Sequence, residues 1–168
     1  MEVSCYFGTH QSIEHPKKQK KFYSGKKKRH TIKAQLTVNY ETKQILSLAV
    51  SSGRTHDFQL FKNHQKKQRY KALLLVDKGY QGLVKLGVTC LIPFKASKKQ
   101  TLCPLQKRIN REIGRRICIE HINSKLKVFR ILAERYWNRR KRMGLRLNLI
   151  AAFYNMELIK KYFLQEVY

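Results

Sequence analysis

The run Lys71-Ala72-Leu73-Leu74-Leu75-Val76-Asp77-Lys78-Gly79-Tyr80-Gln81-Gly82 sets the frame for reading this chain. Its four consecutive apolar residues, Leu73 to Val76, do not alternate as a strand with one wet face would, so they read as a short strand buried on both sides. Asp77 then stands where that strand gives way to a turn bracketed by Gly79 and Gly82. A carboxylate at such an edge can hold a cation or activate a water molecule. It can also open the turn by accepting hydrogen bonds from its own backbone, which is the commoner use of an aspartate there.

The setting of that aspartate is strongly basic. The 168 residues include 37 Lys and Arg against 10 Asp and Glu, a net charge of +27. Such a balance calls for a polyanionic partner, and nucleic acid is the obvious one. A hydrophobic content of 42% suits one domain, residues 1–168, with a real core. No uninterrupted apolar run approaches the roughly 20 residues of a membrane span. Met1 to His10 lacks the basic start and apolar block of a signal peptide. The expectation is a cytoplasmic protein with no membrane partner and no small-molecule substrate. Cys5, Cys90, Cys103 and Cys118 are scattered, without the close pairs of a zinc or redox motif, so plain thiols are expected.

Upstream of the frame, Met1 to Thr9 reads as a strand. A basic loop follows over 16–30, where Lys17, Lys18, Lys20 and Lys21 are separated from Lys26, Lys27, Lys28 and Arg29 by Phe22, Tyr23, Ser24 and Gly25. Such a loop can neutralise phosphates while Phe22 or Tyr23 lies against sugar or base. Read as a solvated charge run, it needs no ligand. Ile32, Ala34, Leu36, Val38 and Tyr40 then alternate with Lys33, Gln35, Thr37 and Asn39, the pattern of a strand with one apolar face. Glu41-Thr42-Lys43 is the turn of a hairpin whose second arm, Gln44 to Ser51, carries Leu46, Leu48 and Val50 on one face. Thr55 to Phe61 opens a short helix in which Asp57 suits the N-terminal dipole better than it suits catalysis.

Downstream come a helical turn near Leu83 to Leu86 and a strand over Thr89 to Phe94, which Pro93 assigns to an edge. A basic irregular segment, 95–107, leads to a helix from about Asn110 to Trp137. There Ile119, Ile122, Leu126, Phe129, Ala133 and Tyr136 form the core stripe. Arg116, Glu120 and Lys127, offset by four and seven residues, line a second face. Arg116 with Glu120 makes a simple surface ion pair worth about 0.3–0.5 kcal/mol. Glu120 can otherwise serve as a metal ligand between two phosphate-binding cations. Strands first and helices after them describe a mixed, layered α/β domain.

Three blocks, in order, resemble bacterial insertion-sequence transposases of the DDE class, closest to family five. They are Asp77 to Gly82, the Arg116, Glu120, Lys127 spacing, and Arg135-Tyr136-Trp137-Asn138-Arg139-Arg140-Lys141-Arg142 running on to Ile150. Ile13-Glu14-His15-Pro16-Lys17-Lys18 and Ser24 to Thr31 extend the likeness over nearly the whole chain. The resemblance implies a ribonuclease-H-like fold, a mixed sheet flanked by helices. It also implies two divalent ions, Mg2+ or Mn2+, held by Asp, Asp and Glu, with Asp77 as the second carboxylate and Glu120 as the third. Arg116 and Lys127 would contact terminal DNA, and Lys26, Lys27, Lys28, Arg29, Arg139 and Arg140 are further candidates for phosphate contacts. The implied partners are insertion-sequence ends and target DNA on a bacterial nucleoid, with a homo-oligomer left open.

The pattern is incomplete at two places. Counting back from Ile13-Glu14-His15-Pro16, the first aspartate of the family falls at Phe7, and Asp57 and Asp77 are the sole aspartates of the sequence. Ile113 stands where related groups carry a tyrosine three residues before the arginine. Together with the abrupt start, this leads to the expectation of a truncated or frameshifted copy, inactive by itself. The competing expectation is a basic nucleic-acid-binding protein without catalysis, in which Asp77 and Glu120 have no reason to converge.

Overall fold

A computed structural model describes residues 3–65, 73–96, 101–114, 117–137 and 142–167. Its sheet is built on β1 (Val3–Ser12), which runs antiparallel to β3 (Arg29–Asn39) from Ser4 opposite Asn39 to Ser12 opposite Thr31. On its other edge β1 runs parallel to β5 (Leu73–Leu75), and β5 runs parallel to β6 (Cys90–Leu91). β4 (Ile45–Ser52) closes the hairpin on β3, and the two-residue β2 (Tyr23–Ser24) pairs with the start of β3. The order is β2-β3-β1-β5-β6, with β4 also on β3.

Helices cover both faces. α2 (Asp57–Gln65) and a 3₁₀ helix (Lys78–Leu86) enclose Phe61, Leu74, Val76, Tyr80 and Leu83 on one side. On the other, α4 (Ile117–Leu126) and α6 (Met143–Val167) press Ile122, Leu126, Leu147 and Ile150 onto Ile32, Ala34, Leu36 and Val38 of β3. The unbroken apolar run of β5 has its reason here. Leu74 and Val76 enter the α2 cluster, while Leu75 packs with Cys5 and with Ile119 of α4. No helix among the described residues is long and apolar enough to cross a membrane.

The structure departs from the sequence-based expectations at several places. The polar side of β3 is buried: Lys33, Gln35 and Thr37 are each no more than 5% exposed. Lys33 donates to the Thr55 carbonyl, the Gln35 amide nitrogen donates to the Tyr80 hydroxyl at 2.6 Å and Thr37 accepts from the Ser47 hydroxyl at 2.9 Å, which offsets much of the cost of burying a polar strand face. In β4 it is Ile45, with Leu48 and Val50, that faces the core. A register shift between Thr37 and Val38 turns Leu46 outward.

Phe22 is a core residue at the end of the short helix α1 (Gln19–Phe22), so it is not available to a base; Tyr23 is the exposed ring of the pair. The single helix expected over 110–137 ends at Leu126: α3 (Pro104–Gly114) and α4 lie on either side of residues 115–116, which are outside the described residues, and a turn at 127–129 then leads to the one-turn α5 (Arg130–Ala133). Helix α3 also begins inside the segment expected to be irregular. Cys103 and Gln106 bond across its first turn, backbone to side chain in both directions, in the manner of a capping box. After Leu126 the chain must return to the sheet, where Tyr136 accepts from the Glu14 amide and donates to the Ser12 carbonyl. Leu132, not Phe129 or Ala133, is therefore the buried residue of that stretch.

Candidate functional site

Asp77 is exposed at the end of a rigid support. Val76 before it is fully buried, and the Tyr80 amide closes the turn on the Asp77 carbonyl at 3.0 Å. The Tyr80 ring meets Phe61 edge-on, with centroids 6.4 Å apart, while its hydroxyl accepts from Gln35. The turn is thus fixed from both α2 and β3. The parallel register pairs Val3 with Leu73, Ser4 with Leu74 and Cys5 with Leu75, where β5 ends; Asp77 lies two residues beyond that last pair, and position 7 lies two residues beyond it on β1. The residue there is Phe7.

Around Asp77 lies a pocket of about 340 Å³ whose walls include Gly8, His10, Asp57, Asn123 and Lys127, with Lys26 and Lys27 at one side. Asp57 enters from the first turn of α2 and crosses the backbone of β1 so closely that a Cβ on Gly8 would lie 3.0 Å from its Oδ1. Lys33 Nζ, rising from β3, stands 3.1 Å from the same oxygen. The His10 imidazole is within 3.4 Å of the Thr31 hydroxyl. Burial lowers the pKa of His10 below its ordinary value, and Lys33, Lys27 and Lys26 push it the same way against the opposing pull of Asp57. The neutral form of His10 is thereby favoured, and Lys26, Lys27 and Lys127 supply the positive charge of the pocket.

Of the residues singled out from sequence, the fold brings Asp77, Lys127, Lys26 and Lys27 to this one pocket. Lys28 and Arg29 part from them: Lys28 takes a left-handed conformation, φ 49°, and both line a separate cavity of about 580 Å³ with His15 and Arg135. Glu120 is exposed on α4 and is not among the described lining residues. Its neighbour Ile119 is clamped against Cys5 and Leu75, and Asn123, three residues on along the same face, does reach the pocket. Arg116, Arg139 and Arg140 lie outside the described residues. His10 and Asn123 are the lining residues that sequence reasoning missed, although Asn123 sits at helical spacing between Glu120 and Lys127.

Among the described residues there is no group of three or more His, Cys, Asp or Glu side chains able to hold a metal ion. Asp57 and Asp77 are the acids of the pocket, and Asp57 already has Lys33 as its counter-charge. The side chains present do not fit the two-ion site that the resemblance implies. The four cysteines are free. They are not all plain, however: Cys118 packs beside Cys5, and the hydrogen bond between the two thiols brings its pKa down to about 7 against the opposing effect of burial.

Comparison with known proteins identifies the class. The DDE superfamily endonuclease family matches residues 6–155, and the chain belongs to it. It is 48% identical over 155 residues to a probable transposase for insertion sequence element IS702 from Microchaete diplosiphon. The match takes in 91% of this chain and 56% of that protein, so the chain spans little more than half the length of the relative. No solved structure matches it.

Proposed function

We propose that residues 1–168 are the DDE domain of a bacterial insertion-sequence transposase that binds DNA in the cytoplasm and, as this chain alone, does not cut it. A hairpin, a helix, a buried strand ending in Asp77 and a later helix carrying Glu120, on a mixed sheet, support a ribonuclease-H-like architecture for this domain. The basic pocket beside Asp77 supports DNA as its partner. In this reading Asp77 and Glu120 are the second and third carboxylates of the family.

The observation that carries the proposal is the parallel pairing of β1 with β5, which runs to Cys5 opposite Leu75. Carried on by two residues, that register would set the slot of the first carboxylate beside Asp77, where the sequence has phenylalanine. The family generally depends on divalent metal ions, and a site short of one carboxylate has lost both a negative charge and its oxygen ligands. Lys127, Lys26 and Lys27 remain to hold phosphates.

A labelled duplex carrying an element end tests both halves. The expected result is salt-sensitive binding with no strand cutting in Mg2+ or Mn2+. Cutting that disappears in Asp77→Ala would show a complete active site and overturn the defect. Absence of duplex binding at low salt would overturn the transposase reading itself.

A further inference from the structure

The broadest cavity among those described lies beside the Asp77 pocket and is a groove of about 1330 Å³. Lys17, Lys18, Lys20, Lys21 and Arg54 line it, all five exposed and none in an ion pair among the described residues. Such clusters are usually mobile, solvated tails, but this one is held. Pro16 and Phe22 are buried at its two ends, so the four lysines span a short arc between anchors, and the Lys21 amide bonds the Lys18 carbonyl at 3.2 Å. Gly53 brings Arg54 to the same rim. A Cβ at Gly53 would lie 2.6 Å from the Thr31 carbonyl oxygen and 2.9 Å from that of Phe22, so only glycine lets the end of β4 pass this close to α1.

Two residues tie the groove to the pocket. Asp57 lines both cavities, and Gly79 in the groove wall is two residues beyond Asp77. A row of unpaired cations on a fixed arc, continuous with a pocket that favours phosphate, has the charge and the shape of a track for a polynucleotide backbone.

We infer that this groove is a second nucleic-acid site, which holds the phosphodiester backbone of the DNA where it leaves the Asp77 pocket, through Lys17, Lys18, Lys20, Lys21 and Arg54. The inference rests on the proposed transposase reading and goes beyond it, because it joins the basic loop to Arg54 in one groove and makes that groove continuous with the Asp77 pocket. Phe58 and His56 line the same groove and offer rings to sugars or bases beside the cations.

The test compares two charge-matched variants of the full chain by duplex-binding titrations at several salt concentrations. One variant carries Lys→Gln at 17, 18, 20 and 21; the other carries it at 85, 107, 125 and 160, which are exposed positions away from both cavities. The groove variant is expected to bind at least about tenfold more weakly at 0.15 M salt. Its log–log salt slope should fall by about 3 to 4, as loss of four phosphate contacts requires. The control should lose far less. Equal losses in the two would mean that bulk charge alone matters, and an unchanged groove variant would mean that DNA takes another path. Either result overturns the groove while leaving the transposase reading intact. If the unmodified chain binds anionic phospholipid vesicles but no duplex, the transposase reading fails and the groove falls with it.

Discussion

Lys33 Nζ lies 3.1 Å from Asp57 Oδ1 and joins the buried polar face of β3 to the first turn of α2. The lysine side chain is 7% exposed and the aspartate side chain 41%, so water screens the pair from one side only. Lys33 also donates to the Thr55 carbonyl just before α2. Lys33→Met keeps the aliphatic bulk while removing the charge, the hydrogen bond and the counter-ion of Asp57. A loss of about 1–3 kcal/mol in urea unfolding is expected, below the cost of breaking a fully buried pair because Asp57 can rehydrate. A loss under about 0.5 kcal/mol would place the contact with inert surface pairs.

Gly53→Ala addresses the junction of α1 and β4. The added methyl meets the carbonyl oxygens of Thr31 and Phe22, two backbone atoms that cannot swing aside, and the Gly53 amide is itself bonded to the Thr31 carbonyl at 2.9 Å. Overpacking of this kind costs about 1–3 kcal/mol. Thermal unfolding should register it as a clear drop in Tm, whereas Gly25→Ala, with nothing within 4 Å of its Cβ position and an ordinary backbone, should change Tm little.

Much of this architecture could be read from the chain because periodicity reports burial directly. The run Leu73 to Val76 predicted a two-sided strand, found as β5 (Leu73–Leu75), and Pro93 predicted an edge, where β6 does lie, although β6 is only Cys90–Leu91 and ends before the proline. What periodicity could not report is pairing between a polar residue and a distant partner. Lys33, Gln35 and Thr37 look solvent-facing until Thr55, Tyr80 and Ser47 are placed over them. The same limit hid Cys5 beside Cys118, 113 residues apart. The break after Leu126 carried no Gly or Pro mark at Lys127 to Phe129. It follows from Tyr136 having to reach Ser12 and Glu14 at the end of β1. That a strand ends just before Asp77 was legible in the sequence, but the approach of His10 and Asn123 to the same pocket needed the fold.

Cys118 gives a pH-dependent signature. With its pKa lowered to about 7 by the hydrogen bond from Cys5, its thiolate forms as pH rises through neutrality instead of near the ordinary thiol value of 9. Alkylation by iodoacetamide, followed residue by residue by mass spectrometry, should therefore accelerate between about pH 6 and pH 8 at Cys118. In Cys5→Ala the midpoint should move upward, because burial then acts without the compensating bond. Cys90, whose thiol burial pushes up, should stay slow throughout that range. A Cys118 profile identical in the wild type and Cys5→Ala would remove Cys5 as the cause.

Phe7→Asp asks whether one carboxylate is what the site lacks. By continuation of the β1–β5 register the new acid stands level with Asp77, and two such carboxylates without a cation between them repel. In metal-free buffer the variant should accordingly be less stable than Phe7→Asn, which supplies the same shape without charge. Mn2+ should reverse the order, raising the Tm of Phe7→Asp with metal concentration as any ligand of the native state does, and leaving wild type and Phe7→Asn nearly unmoved. Direct titration by manganese electron paramagnetic resonance should show binding roughly tenfold or more tighter than wild type, since affinity of oxygen sites climbs with ligand charge. If Phe7→Asp gains neither metal-dependent stability nor Mn2+ affinity, position 7 is not the vacant place in the site. The defect would then have to be sought in the approach of Glu120 to Asp77.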